Sequence, residues 1–494
     1  MPRDRWDVII IGGGIVGACL ARELSRWDVR IAVLDAASEL PAGASRANSS
    51  MIHGGFDDEP GTVKARFCVP GNRMWHALKD ELDFRLDEHG SFVCAFDEGD
   101  VAHLERLLEQ GRANGASGLE IVSGEALRAR EPNASPGIVA ALWSPDAAIV
   151  NNFEATSAFM ESAQLNGVEL FLQTRATGLL FDEDGSVRGV RTDAGGFLAP
   201  IVVDAAGVES GIVASWAGEE SFKIVPTRGE YFLLDRAAGD LVTSFLFSCP
   251  SKAGKGVTVL RTAEGNLMAG PNAAQQDDPS DTSTTREGLA DVLAGARRLV
   301  PELPIGQCIT TFAGVRANTD VGDFVIRCST VRRGFVCVAG IKSPGFTSAP
   351  SIAVHVSEMI RSELADRATF APRASFVPER RHVPRFLSAT MEERERLVSS
   401  DPAYARIVCR CETVTEGQVV EAIRRGARTV SAIKMWTRAG TGRCQGGFCC
   451  PRVVEIISRE LGIPIEEVTR HGGASYLLTG RTKDPWLDGE GARA

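Results

Sequence analysis

Residues 7–17 read DVIIIGGGIVG, and Asp35 closes the run VRIAVLD at 29–35, eighteen residues beyond Gly17. The apolar run at 8–11 is too short for a helix and reads as a fully buried strand. Residues 15–26 have helical periodicity, and 29–35 is a second strand. This is a βαβ unit with a glycine-rich turn at its first junction. Each residue type has a physical task there. Gly12 permits the tight turn, Gly14 lets backbone approach a pyrophosphate, Gly17 lets helix and strand pack closely, and the helix N-terminus supplies partial positive charge. Asp35 stands where a carboxylate accepts hydrogen bonds from a ribose hydroxyl. The turn specifies a dinucleotide without choosing between NAD and FAD.

Composition narrows the class further. At 494 residues the chain has room for roughly three domains of about 150 residues each. With 44% hydrophobic and 24% charged residues and 51 glycines it is globular and glycine-rich. Lys+Arg 54 against Asp+Glu 64 gives a net charge of -10, which excludes the basic footprint of a nucleic-acid binder. The one sustained apolar run, 8–21, follows two arginines as in a secretory leader, but four glycines interrupt it and it is too short to span a bilayer. Cysteines at 19, 68, 94, 249, 308, 328 and 337 are scattered, while five crowd into 409–450, so there is no disulfide framework. This places the protein in a reducing cytoplasm. No basic amphipathic helix stands out, and peripheral attachment to the inner face of the membrane through a partner stays open.

Beyond the first unit, helices are expected near 72–84 and 102–114, a strand-rich stretch at 167–206, and strands at 229–234, 256–260, 323–327 and 334–339. The alternation suggests an α/β core with an antiparallel substrate domain inserted. Three prolines and many charges without periodicity make 371–400 a linker or strap.

Two later segments decide the cofactor. IVVDAAGVES at 201–210 resembles the second strand-and-turn that two-dinucleotide-domain flavoproteins use near FAD, and GIKSPG at 340–345 resembles their C-terminal flavin-contacting loop. Together with ANSSMIHGGFDDEPGTVKARFCVPGN at 47–72, TRGEYFLLD at 227–235, KGVTVLRTAEGNLMAGPN at 255–272 and FAGVRA at 312–317, the chain resembles FAD-dependent glycerol-3-phosphate dehydrogenases and oxidases. It is similar also to 2-hydroxyglutarate oxidases, all in the D-amino-acid-oxidase-like superfamily. Asp35 replaces the commoner Glu, and Asp204 stands where Asn is usual before Ala-Ala-Gly. The resemblance implies an α/β FAD-binding Rossmann-like domain with an interleaved antiparallel α+β substrate domain over 1–370. FAD-binding parts fall at about 1–75, 150–215 and 316–365, and substrate-domain parts at about 76–149 and 216–315. It implies FAD contacts from Gly12, Gly14, Gly17, Asp35, Ser45, Asn48, Ala206, Gly207, Gly340, Ser343, Gly345, Phe346 and Thr347.

Oxidising a secondary alcohol needs a base for the hydroxyl proton and cations to hold an acidic substrate. His53 is the natural base, because imidazole titrates near working pH and IHGG is glycine-flanked, although a histidine packed in the core would read the same. In the resembling enzymes the matching histidine sits at the flavin's reactive face, and Ser49 matches a serine on the cofactor or substrate. Arg316 matches a substrate-facing arginine and Lys255 a position associated with phosphate or carboxylate contact. Arg228, Lys64 and Arg261 are weaker candidates. Phosphate and carboxylate are not distinguished.

Cys409-Arg410-Cys411 and, 32 residues on, the CQGGFC of 444–449 are two close cysteine pairs, a metal site. Zinc pairs usually leave two to four residues between ligands, and the first pair here leaves one, which favours a [2Fe-2S] cluster over zinc or free thiols. The segment resembles the bacterioferritin-associated-ferredoxin-like [2Fe-2S] domain, whose spacing selects Cys449 over Cys450 and gives Cys409, Cys411, Cys444 and Cys449 as ligands. This small helical domain is expected at 401–465, followed by a tail at 466–494. A capping box at Thr415 and Gln418 and Pro451 as a first helical residue start helices just after the cysteine pairs, with their positive ends toward the cluster.

The expected activity is oxidation of a small anionic alcohol, sn-glycerol 3-phosphate first, with electrons leaving through the cluster to a redox protein or quinone. A 2-hydroxyacid dehydrogenase is the alternative within the same chemistry. A flavin-bearing amine- or opine-oxidising or electron-transfer subunit of a larger complex is the rival, and it would need neither His53 nor Arg316 if it served only as a conduit.

Overall fold

The computed structural model describes residues 5–249 and 256–480. The chain divides into two units, 1–36 with 40–381, and 37–39 with 382–494.

In the first unit, Val8–Ile11 (β1), Ile31–Leu34 (β2), Glu169–Phe171 (β3), Ile201–Asp204 (β4), Val325–Cys328 (β5) and Phe335–Ala339 (β6) form one sheet in the order β5-β6-β4-β1-β2-β3. All neighbours are parallel except β5, an antiparallel edge. The reason β1 reads as an unbroken apolar run is visible in its packing. Val8 and Ile10 enter one core with the helices Ile15–Leu24 (α1), Val63–Leu78 (α2) and Gly345–Glu363 (α3), while Ile9 and Ile11 enter a second core on the opposite face. Because β1, β2, β4 and β6 run the same way, Gly12, Asp35, Ala205 and Gly340 emerge at one edge, the carboxyl end where open α/β sheets bind ligands.

The chain leaves this sheet to build a nine-stranded one, in which Ile224–Leu234 pairs antiparallel with Cys308–Thr319. It is antiparallel apart from Phe245–Ser248 beside Ser91–Ala95. The helix Arg286–Leu299 backs it through Val292, Ala296 and Leu299.

Several local expectations shift. The helix expected at 72–84 is Val63–Leu78, because the Thr62 hydroxyl accepts the Ala65 N–H and Asp323 accepts from the N–H groups of Val63 and Lys64, so the helix begins before Pro70. The one expected at 102–114 begins at Glu98, where Asp97 caps the Asp100 N–H. The 371–400 stretch is not structureless. Arg373 donates to the carbonyls of Ser25, Trp27 and Val29, Asn166 bonds both ways with Val377, and Met391–Ser400 is a helix opened by a Thr390–Glu393 capping box.

In the second unit, Glu416–Arg424 (α4), Val430–Thr437 (α5) and Cys450–Leu461 (α6) surround a core of Val419, Ile423, Ile433, Val453 and Ile457. The Thr415–Gln418 capping box opens α4. Helix α6 starts one residue before Pro451 and ends on Gly462 in the left-handed region.

Candidate active site

The glycine turn has the geometry of a dinucleotide cradle. Gly12 has φ +106°, and a Cβ there would lie 2.3 Å from the Ala205 carbonyl oxygen; one on Gly17 would lie 1.9 Å from the Gly12 oxygen. Gly14 faces Ser45, whose hydroxyl accepts the Ile15 N–H at 2.9 Å, so Ser45 stands at the positive end of α1. Asp35 accepts the Gly13 N–H at 2.8 Å. Asn48 closes its own turn, donating to the carbonyls of Ala44 and Ser45 and accepting from Ser50. Asn152, missed in the sequence, holds this segment through the carbonyls of Ser45 and Arg46. At the end of β4, Asp204 is fully buried, and burial pushes its carboxyl up to about 7 against the opposing pull of the Ala206 N–H and Ser210 hydroxyl. Gly207 and Gly340 take φ +61° and +71°. These glycines and polar groups converge on one sheet edge and fit a bound dinucleotide.

The loop after β6 is tied to His53. Ser343 Oγ lies 3.2 Å from His53 Nε2, and Thr347 Oγ1 accepts the His53 N–H at 2.9 Å. Gly345 opens α3, and Phe346 stacks on Trp75 with centroids 5.3 Å apart. Asn72, another residue the sequence did not single out, donates to the carbonyls of His53 and Asp146. His53 thus lines a mostly apolar cavity with Phe56, Asp57, Val93, Leu107, Phe247 and Ser248. A Cβ on Gly54 would lie 2.0 Å from Ser144 Oγ and one on Gly55 2.3 Å from Val69, so these glycines allow close packing of protein on protein. Ser49 is half-buried beside Ser50, which has φ +59°.

Arg316 is aimed from behind. Its guanidinium donates twice to the Asn272 carbonyl, at 3.2 and 3.3 Å, and bonds the Tyr231 hydroxyl. A Cβ on Gly229 would lie 2.5 Å from the guanidinium, so only glycine leaves it room. Gly314, two residues earlier on the same strand face, would place a Cβ 2.1 Å from the Ala47 oxygen, so the face carrying Arg316 packs against the segment leading to Ser49. The weaker cations go elsewhere: Arg228 to Glu230 and Asp281, Arg261 to Asp240, and Lys64 to Asp58 at 4.0 Å. Lys255 lies outside the described residues. Tyr231 and Gly229, both in TRGEYFLLD, lie by strand alternation on the face opposite Arg228.

In the second unit the four thiols form two pairs. Cys411 and Cys444 sulfurs are 3.8 Å apart, and the Cys449 thiol donates to Cys409. That bond, with the N–H groups of Gly440 and Glu412, pulls Cys409 down to about 6 and pushes Cys449 up, while N–H groups of Phe448 and Gly446 lower Cys444. Gly440 and Gly446 have φ +88° and +89°, turning backbone donors toward sulfur, and a Cβ on Gly442 would lie 2.3 Å from that of Cys411. Among the described residues no three His, Cys, Asp or Glu side chains converge on a single ion. Two pairs of thiols ringed by N–H donors fit a cluster of two irons held by four thiolates. Cys449 is the residue before α6, whose positive end therefore meets the sulfurs. Helix α4 opens, as expected, at the capping box in which the Thr415 hydroxyl accepts the Gln418 N–H.

A dinucleotide crevice beside a fixed histidine and arginine, with a thiolate cluster site in a second unit, defines a two-centre redox enzyme. Comparison with known proteins makes this particular. Residues 7–359 match the family described as FAD dependent oxidoreductase, and 407–459 match the BFD-like [2Fe-2S] binding domain. The chain belongs to the FAD dependent oxidoreductase family and uses FAD and a [2Fe-2S] cluster. It is 40% identical over 483 residues to a glycerol 3-phosphate dehydrogenase of Caloramator mitchellensis, covering 97% of this chain and 99% of the relative. It is 30% identical to an L-2-hydroxyglutarate dehydrogenase of Escherichia coli O17:K52:H18, over 74% of this chain and 95% of the relative. Among solved structures, FAD-bound, dithionite-reduced L-alpha-glycerophosphate oxidase from Mycoplasma pneumoniae superposes with a TM-score of 0.71 at 27% identity, over 77% of this chain and 99% of the other.

Proposed function

We propose that the enzyme oxidises sn-glycerol 3-phosphate at its C2 hydroxyl to dihydroxyacetone phosphate and passes the electrons through the [2Fe-2S] centre to an external acceptor. The observation that carries this is the 40% identity, across nearly all of both chains, to the relative named for that activity. FAD, when bound, supplies the acceptor for the hydride equivalent. Gly12, Gly14, Gly17, Asp35, Ser45, Ala206, Gly207, Gly340 and the first turn of α3 hold it at the sheet edge, with Ser49 and Asn48 in the adjoining turn. His53 takes the C2 hydroxyl proton on its imidazole. Ser343 and Thr347 fix the ring and backbone in place, so the base does not reorient during the reaction. Arg316, its guanidinium fixed by Asn272 and Tyr231, holds the phosphate.

No helix among the described residues is long and apolar enough to cross a membrane. A two-electron oxidation coupled to a one-electron centre suits an acceptor that is a redox protein or a quinone.

The same arginine could clamp a carboxylate, so substrate choice is tested by a turnover screen. Purified enzyme with a dye acceptor is given sn-glycerol 3-phosphate, 2-hydroxyglutarate, glycine and proline, and products are identified. The proposal expects dihydroxyacetone phosphate and the highest kcat/KM for glycerol 3-phosphate. A larger kcat/KM with 2-hydroxyglutarate would transfer the assignment to the 2-hydroxyacid reaction, and turnover only with amino acids would remove alcohol oxidation altogether.

A further inference from the structure

The thiol site has a buried side and an open one. Cys409 and Cys449 are 1% and 2% exposed, whereas Cys411 is half-buried and Cys444 exposed. One-electron transfer falls steeply with distance, so a cluster held there delivers electrons across the Cys411/Cys444 edge. The two cysteine-bearing segments, 406–412 and 438–455, carry five arginines against two glutamates, Glu412 and Glu455, in a chain of net charge -10. Buried carboxylates answer two of the five, Glu416 for Arg406 and Glu412 for Arg438, and Arg452 pairs with Glu455. Arg410 instead lies over the Phe448 ring, 4.5 Å from its centroid, and Phe448 is 56% exposed. Arg443, also exposed though not without a partner, adjoins Cys444. An exposed aromatic flanked by arginine has the composition of an interface hot spot, and a basic rim on an acidic protein steers a negatively charged partner to one place.

We propose that the Cys411/Cys444 edge, with Arg410, Arg443 and Phe448, is the docking face for an acidic one-electron carrier protein. This rests on the [2Fe-2S] centre being the outlet and not on which substrate is oxidised. Each alcohol converted to a ketone releases two electrons and two protons; two carrier molecules take one electron each, and the protons go to solvent.

The test titrates the holoenzyme calorimetrically with an acidic plant-type [2Fe-2S] ferredoxin and, separately, with basic cytochrome c. The expected result is ferredoxin binding at 50 mM salt that weakens at least tenfold at 500 mM, where the screening length has fallen to about 4 Å. Arg443→Glu and Phe448→Ala should each weaken it at least fivefold, with iron and FAD content unchanged. Should a variant lose iron, the salt dependence of the unmodified enzyme decides. Absence of ferredoxin binding, binding indifferent to salt, or tighter binding of cytochrome c overturns the proposal. So does reduction of a water-soluble quinone by dithionite-reduced enzyme while neither protein binds. Binding needs no substrate, so a wrong alcohol assignment would leave this result unchanged.

Discussion

At the residue scale, His53 is held at both its backbone and its ring by the loop that opens α3. His53→Asn removes the imidazole and offers no base near neutral pH. It should retain FAD and slow flavin reduction by sn-glycerol 3-phosphate roughly 10²- to 10⁴-fold in stopped-flow absorbance, the usual worth of general base catalysis. Reduction at the unmodified rate would place the base elsewhere. Tyr231→Phe removes the hydroxyl on Arg316 and keeps the ring stacked on Phe312, 4.7 Å away. It should raise KM for glycerol 3-phosphate several-fold with little change in kcat, as expected when binding is equal in ground and transition states; an unchanged KM would contradict the clamp. Asp204 gives a pH prediction with a definite sign. Its folded pKa of about 7 lies above the unfolded carboxyl value, so the folded state holds a proton the unfolded chain has lost. Stability therefore falls as pH rises from about 4 toward 7 and levels off above. Asp204→Asn should gain on the parent across that window by up to roughly 4 kcal/mol, read by denaturant unfolding at pH 5 and pH 8. Equal differences at the two pH values would show the carboxyl already ionised. The family resemblance set Arg316 above Arg228, and the fold gives the physical reason: carboxylates at 230 and 281 occupy Arg228, while a carbonyl at 272 aims Arg316.

At the element scale, the βαβ opening was legible because all its parts are adjacent and an apolar run with glycines on one side has few other uses. The helix at Val63–Leu78 was misplaced because Pro70-Gly71 reads as a stop. In the fold Gly71 is there because a Cβ would lie 2.2 Å from the Thr347 carbonyl oxygen of α3, a contact between segments far apart in sequence. The long pair Ile224–Leu234 and Cys308–Thr319 presents the same situation at Gly314, which meets the backbone of Ala47. Gly314→Ala should force that strand from the segment before Ser49, costing about 1–3 kcal/mol and reducing kcat/KM. Gly306→Ala, with nothing within 4 Å of the new methyl, should leave both unchanged. Thermal melts and steady-state kinetics of the pair check this, and equal behaviour of the two variants would remove the steric argument.

At the scale of the whole molecule, two cofactor units in one chain were readable because each announces itself in a short motif. The order within 371–400 was not, since the stretch has the composition of a linker while Arg373 bonds carbonyls just after α1 and Val377 bonds Asn166 at the end of the helix Asn152–Leu165. Separate motifs imply separable functions. Cys444→Ser should lose the cluster, seen as missing iron and visible absorbance, while FAD and its reduction by substrate persist. Loss of flavin reduction as well would mean that the centres depend on each other. The central claim is that electrons enter from an anionic alcohol at the flavin and leave through the cluster. Anaerobic stopped-flow mixing of the oxidised holoenzyme with sn-glycerol 3-phosphate, followed at flavin and cluster wavelengths, tests it most directly. The account predicts flavin bleaching first and cluster reduction after it, with dihydroxyacetone phosphate formed. A flavin that stays oxidised with glycerol 3-phosphate yet bleaches with 2-hydroxyglutarate or an amino acid would contradict it.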